Sequence, residues 1–446
     1  MIFGFYGGIA KAAGSGIIYI FVLAGIVSVA NALVFSHLST LYPLAGGGYS
    51  IAQSIGGPFW GMVFLIWQLV LWASAVSVMT GLAAGFLHTE WVALPIKPLM
   101  VGMVVIIFLL ALSNIRNSGW VSTMFLVLEG IFVLFWIGFG FTHMQIPVSS
   151  VFAFPPHFLG HNGHFSGVVS LAALATALPL AIYSTDGYEW AISFSEEMAK
   201  PRVIRQAVVL AAVIATVVFM IGVPLLTLVD VHFQTVANAG FPGVVILKTV
   251  LPAAAPVLVI YAAMSSFNAA LANFLQSSRL LFAGGRDEQF GVTISRKLRT
   301  LNRNGVPYWA TIVWLVPSLL LAILSSLNNL FVFTSVVLVV DYILMALGAV
   351  WFYVKAGHSL GMKDGAFRWF PLVPLIVIVS GVFMIVLEPN AYIGDAAGLF
   401  AVACLVSWIV HRRIRPSTKD ELLNTARNAG SILIPPSQEY EQEKIF

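Results

Sequence analysis

Long apolar runs separated by short polar segments dominate the chain. A helix needs about 20 predominantly apolar residues to cross a bilayer, so these runs predict a series of membrane-spanning helices after a short opening piece. The predicted spans are 17–39, 58–87, 97–113, 119–141, 168–195, 203–229, 252–283, 308–326, 329–356, 369–388 and 394–411. The span 168–195 differs from the others, because it begins as an apolar helix and then becomes polar.

The polar part of this span predicts a broken helix. Pro179 removes a backbone donor, and the sequence Tyr-Ser-Thr-Asp-Gly at 183–187 then stands where an ordinary span would carry leucines. A second acid, Glu189, follows at once. Such a break is tolerated at membrane depth only where its freed N–H and C=O groups meet protein or a watery cavity. Transporters build their midplane binding sites in this way, so the pattern favours a secondary transporter.

Composition supports a membrane protein. Of the 446 residues, 59% are hydrophobic and 9% are charged, and the mean hydropathy is +0.95; a soluble domain carries about 25% charged residues. We therefore predict one transmembrane transporter domain over 1–411 and a cytoplasmic tail over 412–446. The single cysteine, Cys404, excludes an intramolecular disulfide.

The distribution of positive charge predicts an orientation. Of the 22 lysines and arginines, 19 fall on one side of the predicted spans, and only Lys11, Lys97 and Lys248 fall on the other. The positive-inside rule makes the first side cytoplasmic, with the C-terminus, in a multi-pass protein of the cell membrane. The same rule explains the net charge of +4, so we expect the lipid bilayer as a partner and no nucleic acid.

The orientation has a consequence for the beginning of the chain. It places residues 10–16 outside the cell with only about ten residues before them, which in a helix reach about 15 Å, or half a bilayer. We therefore expect the chain to lack the first half of its first helix. Met1 has no basic flank and no cleavage site follows it, so no signal peptide is expected.

Four stretches carry a resemblance to a known family. Residues 24–56 resemble the second helix of amino acid permeases of the APC (amino acid-polyamine-organocation) superfamily, together with the turn that follows it. Asp-Gly-Tyr-Glu at 186–189, with SEEMAKPRVIRQA after it, resembles the sixth helix and its loop. Residues 264–290 resemble the eighth helix, and Val306-Pro307 resembles the start of the ninth.

The resemblance implies an all-α membrane protein of about twelve helices with the LeuT-type fold. That fold has two inverted five-helix repeats plus two C-terminal helices, and its substrate site lies between broken helices one and six. The Gly-Ser-Gly that opens the family's first unwound segment is missing, and Met1 to Gly4 stand where the residues after it would lie. By resemblance, the candidate substrate-binding residues are Ile2, Phe3, Gly4, Tyr183, Ser184, Thr185, Asp186, Gly187 and Tyr188.

Four acids fall inside predicted spans: Glu129, Asp186, Glu189 and Asp341. Each would cost about 2.5–3.5 kcal/mol at a lipid-facing helix centre, so we expect all four to face the interior. Asp186 has two interpretations, a contact to substrate or proton, or a cap on the second half-helix. For Glu189 a structural role is the favoured interpretation.

Glu129 is the candidate proton-coupling residue. By resemblance, many permeases carry a lysine at this position, whose ammonium takes the place of a sodium ion. A carboxyl group at that depth loses hydration, which disfavours its anion, so Glu129 can load and release a proton near neutral pH. The alternatives are a neutral structural acid and a Na⁺ site built with Ser265 or Ser266. No cofactor is expected beyond this coupling ion, H⁺ or Na⁺.

Three further residues are candidates for lining the cavity: Asn268, Asp341 and Trp72. For Asp341 a pairing with a buried amide is the equal alternative. For Trp72 the alternative is packing, because membrane helices more often use aromatic residues as packing or interface anchors.

The remaining function classes are less favoured. Four histidines in the loop 142–167 fit no compact zinc pattern, so no metal site is expected. The chain contains no His-Glu-x-x-His or Gly-x-Ser-x-Gly motif, which argues against an enzyme. A channel or a transporter-like sensor also uses broken helices. The expected substrate is a small molecule, an amino acid, with a polyamine or other organic cation as the alternative.

Overall fold

The computed structural model describes residues 2–42, 44, 46–113, 115–152, 154–159, 165–197, 201–229, 242–356, 372–387 and 390–413. Within these ranges the chain is almost entirely helical, apart from one antiparallel hairpin of β1 (His157–Leu159) and β2 (Phe165–Val168). The first half of the chain contains α1 (Ile2–Ala13), α2 (Ile17–Leu41), α3 (Gly48–Gly56), α4 (Pro58–Glu90), α5 (Ile96–Ala111), α6 (Ile115–Thr142) and α7 (Leu171–Thr185). The second half contains α8 (Pro201–Val229), α9 (Pro242–Val250), α10 (Ala255–Arg286), α11 (Val292–Leu298), α12 (Tyr308–Leu324), α13 (Leu327–Ala356), α14 (Leu372–Leu387) and α15 (Asn390–Arg413).

The helices confirm the predicted fold class, an all-α membrane protein. Seven described stretches are long and apolar enough to cross a membrane, and three shorter apolar helices, α5, α12 and α14, accompany them. The helices α2, α4 to α6, α8, α10 and α12 to α15 begin and end within a few residues of the predicted spans. The prediction missed the short helices α3, α9 and α11 and the hairpin in the loop 142–167, because none of these elements carries a long apolar run.

The core of the molecule is built around α4. In its most apolar window 83% of the residues are buried, against 17% in α6 and in α15, so α4 is enclosed by other helices while α6 and α15 present most of their surface outward. Two hydrogen bonds fix α4 to its neighbours. Trp67 Nε1 donates to the Val337 carbonyl of α13 over 3.2 Å, and Ser77 Oγ donates to the Ser318 carbonyl of α12 over 3.1 Å.

The predicted broken helix is present, but its break lies later than Pro179. Ser170 caps the start of α7, because its Oγ accepts from the Ala173 N–H over 3.1 Å. The helix then continues through Pro179 to Thr185. Gly187 then takes φ +106°, a left-handed conformation that favours glycine. A 3₁₀ segment, Tyr188–Glu197, follows. The interruption is therefore set by Asp186 and Gly187 rather than by the proline.

Candidate functional site

The two sides of the break are joined to α2 by side-chain hydrogen bonds. Before the break, Thr185 Oγ1 lies 2.8 Å from Ser28 Oγ, and either hydroxyl can donate. After the break, the Tyr188 hydroxyl accepts from Asn31 Nδ2 over 3.0 Å. All four side chains are buried. Because α2 holds both ends, the break is a fixed feature of the fold, with its polar groups inside the bundle.

A second set of contacts joins the break to α13. The Tyr188 hydroxyl donates to the Tyr342 hydroxyl over 2.9 Å, and the Tyr342 hydroxyl in turn donates to Asp186 Oδ1. The Gly187 backbone lies beside the same carboxylate. Asn31, Tyr188, Tyr342 and Asp186 therefore form one hydrogen-bonded chain from α2 through the 3₁₀ segment to α13 and back to the break.

Two further acids lie close to Asp186. Glu189 interacts electrostatically with Asp186 and Asp341, and Asp341 with Asp186. Glu189 is 5% exposed and Asp341 is 1% exposed. The Gln68 amide of α4 lies beside Asp341, although no described group hydrogen bonds to either Asp341 oxygen within ordinary geometry. The structure thus brings together three of the four acids singled out in the sequence, and Asp341 lies near both the break and a buried amide.

Two tryptophans lie beside the break. The rings of Trp72 and Trp190 meet edge to face, with centroids 5.9 Å apart. Trp72 is buried and Trp190 is half buried, and no described acceptor binds the Trp190 indole N–H. A Cβ built on Gly187 would meet the Trp190 ring at 3.4 Å. The predicted cavity residue Trp72 therefore supports Trp190, which is the more accessible ring.

Glu129 belongs to a separate polar group, between α6 and α10. Its Oε1 accepts from Asn268 Nδ2 over 3.0 Å, and Asn268 Oδ1 accepts from Ser122 Oγ over 2.9 Å. Ser265 lies beside the same carboxylate. The neighbouring Ser266 is fully buried, and its hydroxyl has no hydrogen-bond partner among the described residues. Asn268, predicted from the sequence as a cavity residue, thus lies beside the predicted coupling acid.

The 3₁₀ segment is held against the C-terminal half of α10. Ser193 Oγ donates to Gln276 Oε1 over 3.1 Å, and the Arg279 guanidinium lies 4.2 Å from the centre of the Phe194 ring. Farther along, the Tyr49 hydroxyl of α3 donates to Asp287 Oδ2 over 2.9 Å. These contacts join the 3₁₀ segment and α3 to the C-terminal end of α10, and they define one end of the bundle.

The opposite end has its own polar ties. Lys248 of α9 forms an ion pair with Glu90 at the end of α4, with Nζ and Oε2 3.0 Å apart, and it also donates to the Thr89 carbonyl over 2.8 Å. Lys97 donates to the last carbonyls of α12, those of Ala322, Ile323 and Ser325. Two of the three cations predicted for this side therefore bind the ends of helices.

The predicted site residues Ile2, Phe3 and Gly4 lie in the first turn of α1, and nothing beyond this backbone position is described for them.

The site also contains residues that the sequence did not single out: Tyr342, Asn31, Ser28, Gln68 and Trp190. A polar residue inside an apolar run was an available signal for Asn31 and Gln68. Tyr342 adjoins the singled-out Asp341, but nothing in the sequence indicates that its hydroxyl reaches Asp186.

Comparison with known proteins matches the chain to a family. Residues 1–409 match the amino acid permease family. An uncharacterized transporter of Mycobacterium tuberculosis is 26% identical over 422 residues, covering 91% of this chain and 87% of that protein. The branched-chain amino acid permease BcaP of Lactococcus lactis is 24% identical over 405 residues, covering 84% of this chain and 82% of that protein. Both the family and these relatives point to a multi-pass membrane transporter of amino acids rather than an enzyme, and the chain belongs to the amino acid permease family.

Proposed function

We propose that this protein is a secondary transporter that carries amino acids across the cell membrane, driven by protons and working by alternating access around the break at Asp186 and Gly187. The observation that carries the proposal is the break itself. It ends the regular α-helical hydrogen bonding of α7 at membrane depth, and the backbone turns there into the 3₁₀ segment. Backbone groups of this kind are suited to the carboxylate and ammonium of an amino acid.

The side chains at the break favour a substrate with a positive group. Asp186 is partly exposed as a residue, and its Oδ2 is buried without a hydrogen bond of ordinary geometry to a described residue. When a substrate enters the break, this carboxylate oxygen can accept a hydrogen bond from its ammonium. Every amino acid offers such a group, and the relative BcaP is named for branched-chain amino acids. A polyamine or another organic cation is the second candidate, because the carboxylate at the break suits it as well.

Alternating access is supported by polar contacts at both ends of the bundle. The ties of the 3₁₀ segment to α10 and the ion pair Lys248–Glu90 are single hydrogen bonds or ion pairs between different elements. A hydrogen bond of this kind contributes about 0.5–1.5 kcal/mol, and a partly exposed ion pair contributes about 0.2–1 kcal/mol. They can form on one side and break on the other within the energy that a substrate and a proton gradient supply.

Proton coupling is assigned to Glu129. The carboxyl group is half buried, and Asn268 donates to one of its oxygens. The Asn268 amide can donate to the Glu129 carboxylate, or, after its side chain flips by about 180°, accept from the protonated acid. Both protonation states of Glu129 therefore have a partner. The Na⁺ alternative rests on Ser265 beside Glu129 and on the unpartnered hydroxyl of Ser266. The orientation with a cytoplasmic C-terminus rests on the distribution of positive charge.

The test is uptake by the purified protein in proteoliposomes. Radiolabelled leucine, lysine and putrescine are offered with an inward proton gradient, an inward Na⁺ gradient or no gradient, and a panel of unlabelled amino acids and polyamines competes. The proposal expects saturable, proton-driven uptake of an amino acid. Uptake that responds only to Na⁺ would overturn the proton coupling. Flux that never saturates would indicate a channel, and binding without uptake a sensor.

A further inference from the structure

The three acids at the break form a cluster with enclosed carboxyl groups. Glu189 and Asp341 are almost completely buried, and none of their four carboxylate oxygens makes a hydrogen bond of ordinary geometry to a described residue. The Asp186 carboxyl group lies beside Glu189, and the Gln68 amide lies beside Asp341. Asp186 is partly exposed as a residue, but Tyr342 donates to its Oδ1, and its Oδ2 is buried. Three enclosed acids therefore lie together at the break.

Among the described residues, no positive side chain is found to act on this acid cluster. The groups that act on its members most strongly are the acids themselves, Tyr342 of α13, Gln68 of α4 and the backbone at Gly187. From α2, Asn31 reaches the cluster only through the Tyr188 hydroxyl. Three carboxylates so close together, away from water and without a cation, repel one another and lose hydration. The acid cluster therefore needs to bind positive charge.

The geometry distinguishes between possible positive charges. Within the described chain no group of three His, Cys, Asp or Glu side chains is arranged to hold a metal ion. An organic ammonium is too large to reach Glu189 and Asp341 at their degree of burial. A proton needs no such space, and the Tyr188 and Tyr342 hydroxyls form a hydrogen-bonded pair that ends on Asp186.

We infer that Asp186, Glu189 and Asp341 form a second proton-binding site, separate from Glu129, which takes up a proton when water reaches Asp186 at the break. In this step an O–H bond of hydronium breaks, which leaves water, and a carboxyl O–H bond forms, so the charge of the cluster rises by one. The inference deepens the proposed function, because it adds a proton site to a carrier whose coupling is assigned to Glu129. The two sites lie on different elements. The acid cluster lies on the break after α7, the 3₁₀ segment and α13, whereas Glu129 lies between α6 and α10.

Infrared difference spectroscopy tests this inference without a substrate. The full-length protein in lipid nanodiscs is compared at about pH 5 and about pH 9 in H₂O and D₂O, and the C=O band of protonated carboxyl groups is followed. We expect a pH-dependent band that loses one component in Asp341→Asn and in Asp186→Asn. Glu129→Gln should remove a different component, and Asp395→Asn on α15 is the matched control, expected to leave both components unchanged.

Several outcomes would overturn the inference. One such outcome is a C=O band that is the same in Asp186→Asn, Glu189→Gln and Asp341→Asn as in the unaltered protein. The other is a component of the acid cluster that does not change with pH. Should a carboxamide variant fold poorly, Tyr342→Phe retains all three acids and is expected to shift their component, and no shift would count against the inference. The proposed function is judged separately, by proton-driven uptake. Normal uptake that depends on Glu129, with no titrating acid cluster, would refute this inference and retain the proposed function.

Discussion

The Tyr342 hydroxyl donates a hydrogen bond to Asp186 Oδ1, although the two residues are 156 positions apart in the chain. Tyr342 is 2% exposed, and its hydroxyl also accepts from Tyr188. One side chain of α13 thus holds both the carboxylate in the break and the first residue after it. A motion of α13 relative to α7 must break this hydrogen bond or move Asp186, so the contact couples the position of the carboxylate to that of α13.

Removal of the Tyr342 hydroxyl should weaken transport. In Tyr342→Phe the ring remains, but Asp186 loses the hydroxyl that donates to its Oδ1, and Tyr188 loses an acceptor. A hydrogen bond to a charged group contributes about 1.5–3 kcal/mol, so kcat/KM for uptake should fall at least about tenfold. The control is Tyr353→Phe on the same helix, measured in the same proteoliposomes. Equal uptake by both variants would contradict a role for the Tyr342–Asp186 contact.

The backbone at Gly187 should not tolerate a side chain. Its φ of +106° is strained for other residues and costs about 1–3 kcal/mol; the Trp190 ring, 3.4 Å from the new Cβ, is at ordinary contact distance, so the penalty comes from the backbone. We expect Gly187→Ala to lose most uptake while the protein remains in the membrane. Gly138→Ala in α6 is the control, because nothing lies within 4 Å of its new Cβ. Uptake and surface expression are measured together, and full activity of Gly187→Ala would show that the break does not need this conformation.

Glu129→Gln should separate substrate transport from its driving force. The amide is similar in shape and still has Asn268 as a partner, so the protein should fold and exchange substrate. It cannot bind a proton, so uptake should lose its stimulation by an inward proton gradient. Uptake and counterflow are compared with those of Ser122→Ala, which removes only the donor to Asn268. A normal response of Glu129→Gln to the gradient would rule out this residue as the coupling group.

The sequence predicted the fold well, because apolar runs long enough to cross a bilayer are a local property of the chain. It also located the break, since polar residues from Tyr183 to Gly187 interrupt an apolar run. The sequence also counted Pro179 toward the break, but α7 continues through this residue, because a proline in a membrane helix is tolerated when its neighbours satisfy the freed carbonyl. The helix ends where Gly187 takes its left-handed conformation.

The partners of the site residues were largely beyond the sequence. Asp186 meets Tyr342, and Ser28 meets Thr185 over 157 positions, contacts that arise only when α2, α7 and α13 pack together. Tyrosine and serine are also common in membrane helices for other reasons, so their presence alone indicated nothing. Glu129 and Asn268 were both selected, but from different arguments, and only the structure shows that they are bonded to each other.

The hydrogen bond from Tyr49 to Asp287 should stabilise the fold over a wide pH range. Tyr49 lies in α3, the short helix that connects α2 and α4, and it is fully buried. Burial raises the pKa of its phenol well above the usual value. A raised pKa means that the contribution is complete below the unfolded value of about 10 and is lost only as pH rises through the folded value. Tyr49→Phe should therefore unfold at a temperature lower by several degrees, by the same amount at about pH 6 and about pH 9.

Thermal unfolding in detergent, followed by tryptophan fluorescence, measures this difference. The matched control is Tyr308→Phe, whose ring is partly exposed at the start of α12; it should leave the unfolding temperature nearly unchanged. A destabilisation of Tyr49→Phe that disappeared between about pH 6 and about pH 9 would contradict the assignment, because the phenol would then ionise inside that range.

The ion pair between Lys248 and Glu90 should act on the rate of transport more than on stability. Lys248 is partly exposed, with 39% of its side chain accessible, and pairs of this kind contribute about 0.2–1 kcal/mol. Each of Lys248→Glu and Glu90→Lys places like charges opposite each other and should hold α9 away from α4. We expect each single variant to slow uptake severalfold with little change in unfolding temperature. The double variant restores opposite charges and should recover most of the rate, whereas simple addition of the two losses would show that the pair has no part in closing this end of the carrier.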